Sequence, residues 1–379
     1  MKKAVCISCS DHYDHRLHVA ADCLRSRGYD TTYITSNFDH TRKEVFTCDV
    51  PGCVQIPARP YHKNLSVDRI LSHRNFARDV FRYLESLPQQ PDVLVVLLPP
   101  NFLAHYGAKY KRRHPEVTLI FEIFDLWPET FPGGKVKKLL APVFKVWAAL
   151  RDRNLGKADF VVTECEMFRE KLGLKDSTSK AIWLCAEKLS LEIPQSQLAE
   201  DKLELCYLGA INNVISIPDI CALIKQLTEK KPVTLHIIGK GERQEEFVAE
   251  AEKAGAEVIF YGAVYDEAKK LEIMSRCHFG LNVMKSSVCV GLTMKSVDYF
   301  RFGLPIINSI PADTQKLVEE KNIGLQLNSI CAEKLLSLTV ADCLQMRQQV
   351  TSVFTQSFEK SVIAEQYDKV LNRCLNVQN

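Results

Sequence analysis

Two successive α/β domains, each built on a parallel, doubly wound sheet, are the architecture that this 379-residue chain predicts. Its length exceeds one ordinary domain. Short β-branched and aromatic runs alternate with amphipathic stretches of helical period from end to end, the pattern of βαβ units. The alternation breaks once, at EKLSLEIPQSQLAEDK (187–202), a polar segment interrupted by proline that reads as a linker. The expected division is therefore 1–190 and 200–355, with 356–379 as a terminal helical stretch. Open α/β sheets bind ligands beyond the carboxyl ends of their strands, so two Rossmann-like domains facing each other would form a cleft.

In the first half the expected strands are AVCIS, TTYIT, DVLVVLL, VTLIFEIF, DFVVT and AIWL. Their near-continuous apolar character suits strands covered on both faces. HRLHVAADCLRSRG, NFARDVFRYLESL and KVKKLLAPVFKVWAALRDR carry the helical period between them. The second half repeats the plan with LELCYLG, VTLHIIG, EVIFYG, HFGLNVM and LPIINS, separated by helices such as ERQEEFVAEAEKAG and DEAKKLEIMSRC. In VGLTMKSVDYFRFGLPIINS (290–309), Leu292, Met294, Val297, Phe300 and Phe302 suit a helix packed on a core, and Gly303 suits its C-terminal cap.

The composition, 46% hydrophobic and 25% charged with no low-complexity tract, excludes a disordered chain. No apolar run is long enough to cross a bilayer. The opening MKKAVCISCS meets charge too soon for a signal peptide, and a cytoplasmic location is expected. The 14 cysteines are scattered through strands and helices as small buried hydrophobes. Cys6 with Cys9 and Cys48 with Cys53 are the only close pairs worth weighing for zinc, but nothing in the sequence brings the pairs together, and no metal is expected. The net charge of +3 is uneven: residues 1–190 carry 29 Lys/Arg against 22 Asp/Glu, the remainder 20 against 24. The first half is thus expected to meet something anionic. KYKRRH (109–114) and KVKKLL (135–140) are its basic clusters, and weak, reversible contact with an anionic membrane is the expected use. Nucleic acid is not an expected partner.

The turn after the first strand, CSDHYDHRLH, has no glycine. A pyrophosphate needs close backbone approach there, so the turn argues against a nicotinamide-dependent dehydrogenase. Asp11, His12, Asp14, His15, Arg16 and His18 fill the turn instead. Each alone could be a cap or a solvated side chain; together at a strand end they suggest a polar substrate site. IFEIFDLWPETFPGG (120–134) ends another strand on Asp125, Trp127 and Glu129, placing acids and a sugar-stacking ring at a cleft mouth, or else a core indole and a capping acid. YLGAINNVIS and IIGKGER open glycine turns at Gly209 and Gly239, which would leave backbone N–H groups for a diphosphate. Lys295 and Asp298, three apart, lie on one face of the helix that follows a Gly291-containing loop; a solvated surface pair is the bland alternative.

These stretches, with DHRLH…LRSRGYD, ADFVVTECE and FYGAVYDEA, resemble retaining, family-4-type glycosyltransferases of the GT-B fold along essentially the whole chain. The resemblance implies two facing Rossmann-like domains and a C-terminal helix (358–375) that crosses back to the first. It implies that Asp298 holds the ribose hydroxyls of a nucleotide-sugar, and that Gly303, Leu304 and Pro305 begin the next strand. Gly209, Asn212, Asn213, Gly239, Lys240, Val264, Tyr265, Gly291, Leu292, Thr293 and Lys295 complete the implied donor site. His15, Arg16 and Asp125 are the implied catalytic residues, with Asp14, Trp127 and Glu129 on the acceptor side. The pattern departs from the family at Val290, where many relatives carry an acid facing the donor sugar, and at GAINNVIS, which lacks the usual phosphate-clamping Arg and Lys.

The implied activity is metal-independent transfer of a sugar, with retention, from a nucleotide-sugar to a saccharide or lipid-linked acceptor in capsular or exopolysaccharide assembly, without a cofactor. A homo-oligomer or a partner glycosyltransferase are the implied protein partners. Two other readings stay open: a nucleotide-sugar 2-epimerase on the same fold, which would turn over donor alone, and a non-catalytic sugar-nucleotide-binding subunit, which the residue Val290 keeps alive.

Overall fold

A computed structural model describes residues 1–10, 15–48, 50, 52–64, 66–130, 141–193 and 198–375. The chain divides into two compact units, one of Met1–Trp183 with the segment from Ile363 onward, the other of Leu184–Val362. The division thus falls before the polar segment 187–202 rather than within it.

The sheet of the first unit has seven parallel strands in the order β5-β2-β1-β6-β7-β8-β9: β1 Lys3–Ile7, β2 Asp30–Ser36, β5 Cys53–Ile56, β6 Val93–Leu98, β7 Thr118–Ile123, β8 Phe160–Thr163 and β9 Ser179–Ala181. A two-stranded hairpin, β3 Phe38–Asp39 with β4 Glu44–Val45, lies between β2 and β5. The sheet of the second unit has six parallel strands, β12-β11-β10-β13-β14-β15: β10 Leu203–Leu208, β11 Val233–Ile238, β12 Glu257–Gly262, β13 Phe279–Asn282, β14 Ile306–Asn308 and β15 Gly324–Gln326. In both sheets the winding reverses beside the unit's first strand, between β1 and β6 and between β10 and β13. A crevice for a ligand opens at such a reversal.

Burial explains the strands. VLVVLL of β6 and TLIFEI of β7 are buried at every position, as strands covered on both faces must be. The predicted strand AIWL contributes only Ala181 to β9, while Ile182 and Leu184 are buried beyond it. The helix expected from NFARDVFRYLESL begins earlier, at Val67, because Ser66 caps it by accepting the N–H of Arg69 at 3.2 Å. From KVKKLLAPVFKVWAALRDR the helix Ala141–Leu155 is described, and KVKKLL lies outside the described residues.

Arg16 belongs to the frame and not to a site, which corrects its expected catalytic and phosphate-clamping role. It lies on the buried face of the helix His15–Ser26 and is 1% exposed. Its Nε and Nη2 both approach Glu122 Oε1 at 2.6 Å, and its Nη1 donates to the Trp183 carbonyl at 2.8 Å. The other carboxylate oxygen of Glu122 accepts from the Tyr367 hydroxyl at 2.6 Å. Tyr367 lies on the terminal helix Lys360–Leu375, and Asp368 beside it pairs with Arg27 at 2.9 Å. A buried guanidinium is tolerated only with such partners.

Candidate functional site

In the second unit the reversal between β10 and β13 is built around the helix Met294–Arg301. Tyr299 is fully buried, and its hydroxyl accepts the N–H of Leu208 at 2.7 Å and lies 3.1 Å from the Cys206 carbonyl, so the helix is fastened to β10. Gly280 of β13 makes room for it: a Cβ there would sit 2.6 Å from the Tyr299 ring. Thr293 caps the helix, accepting the N–H of Ser296 at 3.1 Å and bonding Asn282 at 3.1 Å. Its hydroxyl is therefore spent on the frame. Gly291 anchors the preceding loop, its carbonyl accepting from the Thr314 N–H and hydroxyl, and Leu292 is buried below.

Within this frame Lys295 and Asp298 do not pair with each other, and neither has a hydrogen bond or ion pair among the described residues. The Lys295 ammonium lies 3.9 Å from the centroid of the Tyr207 ring, and its Cε is beside Gly209. Burial pulls its pKa from 10.5 down to about 7. Burial likewise raises Asp298 above the usual carboxylate range, against the nearby charges of Lys270 and Arg301. A base and an acid, both desolvated and, among the described residues, both without a hydrogen-bond or ion-pair partner, lie one helical turn apart at the strand ends.

The glycine turns work differently from expectation. The N–H of Gly209 bonds the Ile238 carbonyl at 2.8 Å, and that of Gly239 the Gly262 carbonyl at 2.7 Å, so neither is free for a phosphate. Their glycines serve close packing: a Cβ on Gly239 would lie 2.0 Å from the Gly209 carbonyl oxygen. Asn212 accepts the N–H of Val214 at 3.1 Å and Asn213 bonds Glu242, so both side chains hold the turn. Lys240 is exposed, Val264 half-buried, and Tyr265 87% exposed after β12.

In the first unit a pocket of about 330 Å³ opens at the β1/β6 reversal. Asp125 and Trp127 line it, as do His40, Thr41, Asn64, Arg69 and His73, which sequence reading passed over. Asp125 accepts from Thr130 at 2.5 Å, and burial raises its pKa. Arg69 lies over the Trp127 ring at 4.4 Å and within 5.7 Å of Tyr61, and His73 stacks on Trp127 at 6.0 Å. His15 is exposed and does not line the pocket; His18 stacks on Tyr33. Glu129, expected on the acceptor side, is held in a bidentate pair by buried Arg151 at 2.9 and 3.0 Å and does not line this pocket. Asp14, with Asp11 and His12, lies outside the described residues.

Among the described residues two clusters have metal-ligand types in reach of one another, Cys9–His40–His73 and Glu204–His236–Cys277. In the first, the His40 ring nitrogens already meet the Cys9 carbonyl at 2.8 Å and the Tyr61 hydroxyl at 2.6 Å, and burial pushes the Cys9 thiol up to about 12. In the second, Glu204 is paired with Lys202 at 2.5 Å and His236 at 3.1 Å. The chemistry of neither set favours a cation. The pairs Cys6/Cys9 and Cys48/Cys53 contribute only Cys9 to them.

Residues 14–177 match the family described as a glycosyl transferase 4-like domain, and residues 202–338 match glycosyl transferases group 1. A comparison with curated protein sequences finds no match. Among solved structures, sucrose-phosphate synthase from Thermosynechococcus elongatus is similar with a TM-score of 0.72 at 14% identity, over 100% of both chains. Anabaena HepE in complex with UDP and glucose gives 0.62 at 13%, over 98% of this chain and 100% of that one. WaaG, a glycosyltransferase involved in lipopolysaccharide biosynthesis, gives 0.63 at 15%, over 97% and 99%. Two such domains in this order, each on its own parallel sheet, make the chain a GT-B glycosyltransferase.

Proposed function

We propose that this protein moves a sugar, with retention and without a metal, from a nucleoside diphosphate sugar to a saccharide or lipid-linked acceptor in surface polysaccharide assembly. The observation that carries the donor assignment is the unpaired Lys295 and Asp298 at the β10/β13 reversal. The ammonium meets the diphosphate beside Gly209, and the carboxylate accepts from both ribose hydroxyls. Tyr265 and Val264 take the base side, and Lys240 adds positive charge to the turn. HepE is a structural neighbour described with UDP-glucose, which makes UDP-sugars the first donors to try.

Catalysis on this reading is positioning and charge stabilisation: Lys295 and the start of the helix Met294–Arg301 stabilise the departing diphosphate as the sugar gains oxocarbenium character. Asp125 orients the acceptor hydroxyl. The membrane contact rests on Lys109, Arg112 and Lys157, which line one basic hollow with His105 and have no ion pair among the described residues. Val143 and Val146 are exposed on the helix Ala141–Leu155. Co-sedimentation with anionic vesicles that fades with salt is expected; its persistence in high salt counts against the contact.

A thermal-shift screen of UDP-, GDP-, ADP- and dTDP-sugars tests the donor assignment. One group should stabilise the protein, and the Asp298→Ala variant should lose the response. Anomeric analysis of the product by NMR then tests retention. Turnover of donor without acceptor would favour epimerisation instead.

A further inference from the structure

We propose that the pocket at the β1/β6 reversal of the first unit holds an anionic group of the acceptor sugar, a carboxylate or a phosphate, on the Arg69 guanidinium. The proposal rests on the glycosyltransferase reading and names a substrate class that reading leaves open.

Among the described residues the pocket lining contains one guanidinium, Arg69, and one carboxyl, Asp125. The Arg69 group lies over the Trp127 ring at 4.4 Å and hydrogen-bonds the Tyr61 side chain, so one face is walled by an aromatic ring and its N–H groups project in the guanidinium plane. One of them donates to the Asn64 carbonyl at 3.1 Å, which fixes the orientation of the fork. Planar N–H donors with a fixed direction match the two oxygens of a carboxylate or phosphate. Lys43 adds a second positive charge behind the wall: it lies 4.5 Å from the Tyr61 centroid and bonds Asn64 Oδ1 at 2.5 Å.

The two imidazoles of the pocket are neutral. Burial lowers His40 to about 4 and His73 well below its ordinary value, with Arg69 adding to both effects. His73 is 4% exposed, lines the pocket, and makes no hydrogen bond among the described residues. A buried imidazole without a partner is costly unless a ligand supplies one. Asp125 sits at the opposite wall with its carboxyl raised by burial and held by Thr130. Asp39, the other acid close by, is occupied by the N–H groups of Thr41 and Arg42 and by the Arg42 side chain. Among the described residues the pocket sets the Arg69 guanidinium, with Lys43 behind the wall, against one acid whose carboxyl burial raises, in a volume of about 330 Å³ that suits one sugar ring with its charged substituent.

The test is calorimetric titration of the whole protein, without donor, with three probes: glucuronic acid, glucose 1-phosphate and glucose. At least one anionic probe should bind more tightly than glucose, by roughly ten- to a hundredfold, and its affinity should fall with added salt. Preference for glucuronic acid assigns a carboxylate, and preference for glucose 1-phosphate a phosphate. Arg69→Met should erase the preference while UDP binding stays as in the wild type, and Arg69→Lys should keep part of it. Equal binding of the three probes, no binding of either anion, or an anion preference that survives Arg69→Met overturns the proposal. If Arg69→Met does not fold, the salt dependence in the wild type and the Arg69→Lys affinity decide. Failure of every nucleotide-sugar in the screen to bind wild-type protein would strike the donor assignment separately.

Discussion

Arg16 with Glu122 in the first unit and Lys295 with Asp298 in the second are each a base and an acid near the working end of a parallel sheet. In the first set the charges are fully buried and satisfy one another: guanidinium to carboxylate at 2.6 Å, with Tyr367 and the Trp183 carbonyl closing the network. In the second they are half-buried, do not pair with each other and have no hydrogen-bond or ion-pair partner among the described residues, and burial pushes both towards neutrality. A saturated pair holds a structure together; an unsaturated one holds a place for a ligand. The same residue types are separated by whether their hydrogen-bonding capacity is already used.

The contrast is sharpest at Asp298. On the proposed donor reading, Asp298→Ala removes two charge-assisted acceptor contacts to a ribose, each worth ~1.5–3 kcal/mol, so donor affinity should drop by roughly two to four powers of ten. The protein should unfold at the same urea concentration as wild type, and an unchanged affinity by calorimetry would dissolve the contrast. Arg16→Met should do the opposite. It leaves Glu122 buried without its cation, costing ~3–5 kcal/mol in unfolding free energy, while nucleotide affinity per folded molecule is unchanged.

Lys295 gives a pH-dependent version of the same comparison. Its folded pKa of about 7 lies below the ordinary 10.5, so between those values the unfolded chain holds a proton that the folded chain lacks. Through this window the group's contribution to stability rises with pH. A diphosphate favours the ammonium, so donor binding should take up a proton above pH 7 and weaken by up to ~tenfold per pH unit. Titrations in buffers of different ionisation enthalpy should register the uptake, and Lys295→Met should abolish it. The smallest effect belongs to the frame of the second site: Thr293→Ala loses the helix cap and should cost ~1 kcal/mol of stability, read from denaturation.

Most of the fold was legible because buried parallel strands and amphipathic helices write long, regular patterns, as in VLVVLL and EEFVAEAEK. β5 and β15 were not, since CVQI and GLQ are short and half polar. In the second unit, the placing of Lys295 and Asp298 on one helix at a strand end was legible because helix spacing, a cap and a C-terminal glycine all lie within a dozen residues. The first-unit pocket draws Cys9, His40, Asn64, Arg69, His73 and Asp125 from separate loops and helix starts, and no spacing rule joins them. The run YHKNLSVDRILSHR did hold a signal, in its density of His, Lys, Arg and Asn ahead of an apolar helix. Arg16 misled because it follows a strand end, although its helix places it on the same face as Ala20 and Leu24, the covered side.

Glu122 and Tyr367 are 245 positions apart, and every strand of the second unit is encoded between them. On a ribosome adding ~5–20 residues per second, Glu122 emerges roughly ten to fifty seconds before the hydroxyl that completes its network. The portion of the protein translated first is therefore the last to be finished. Through that interval its buried acid has Arg16 but not the closing helix, and the nascent first unit depends on a segment that does not yet exist.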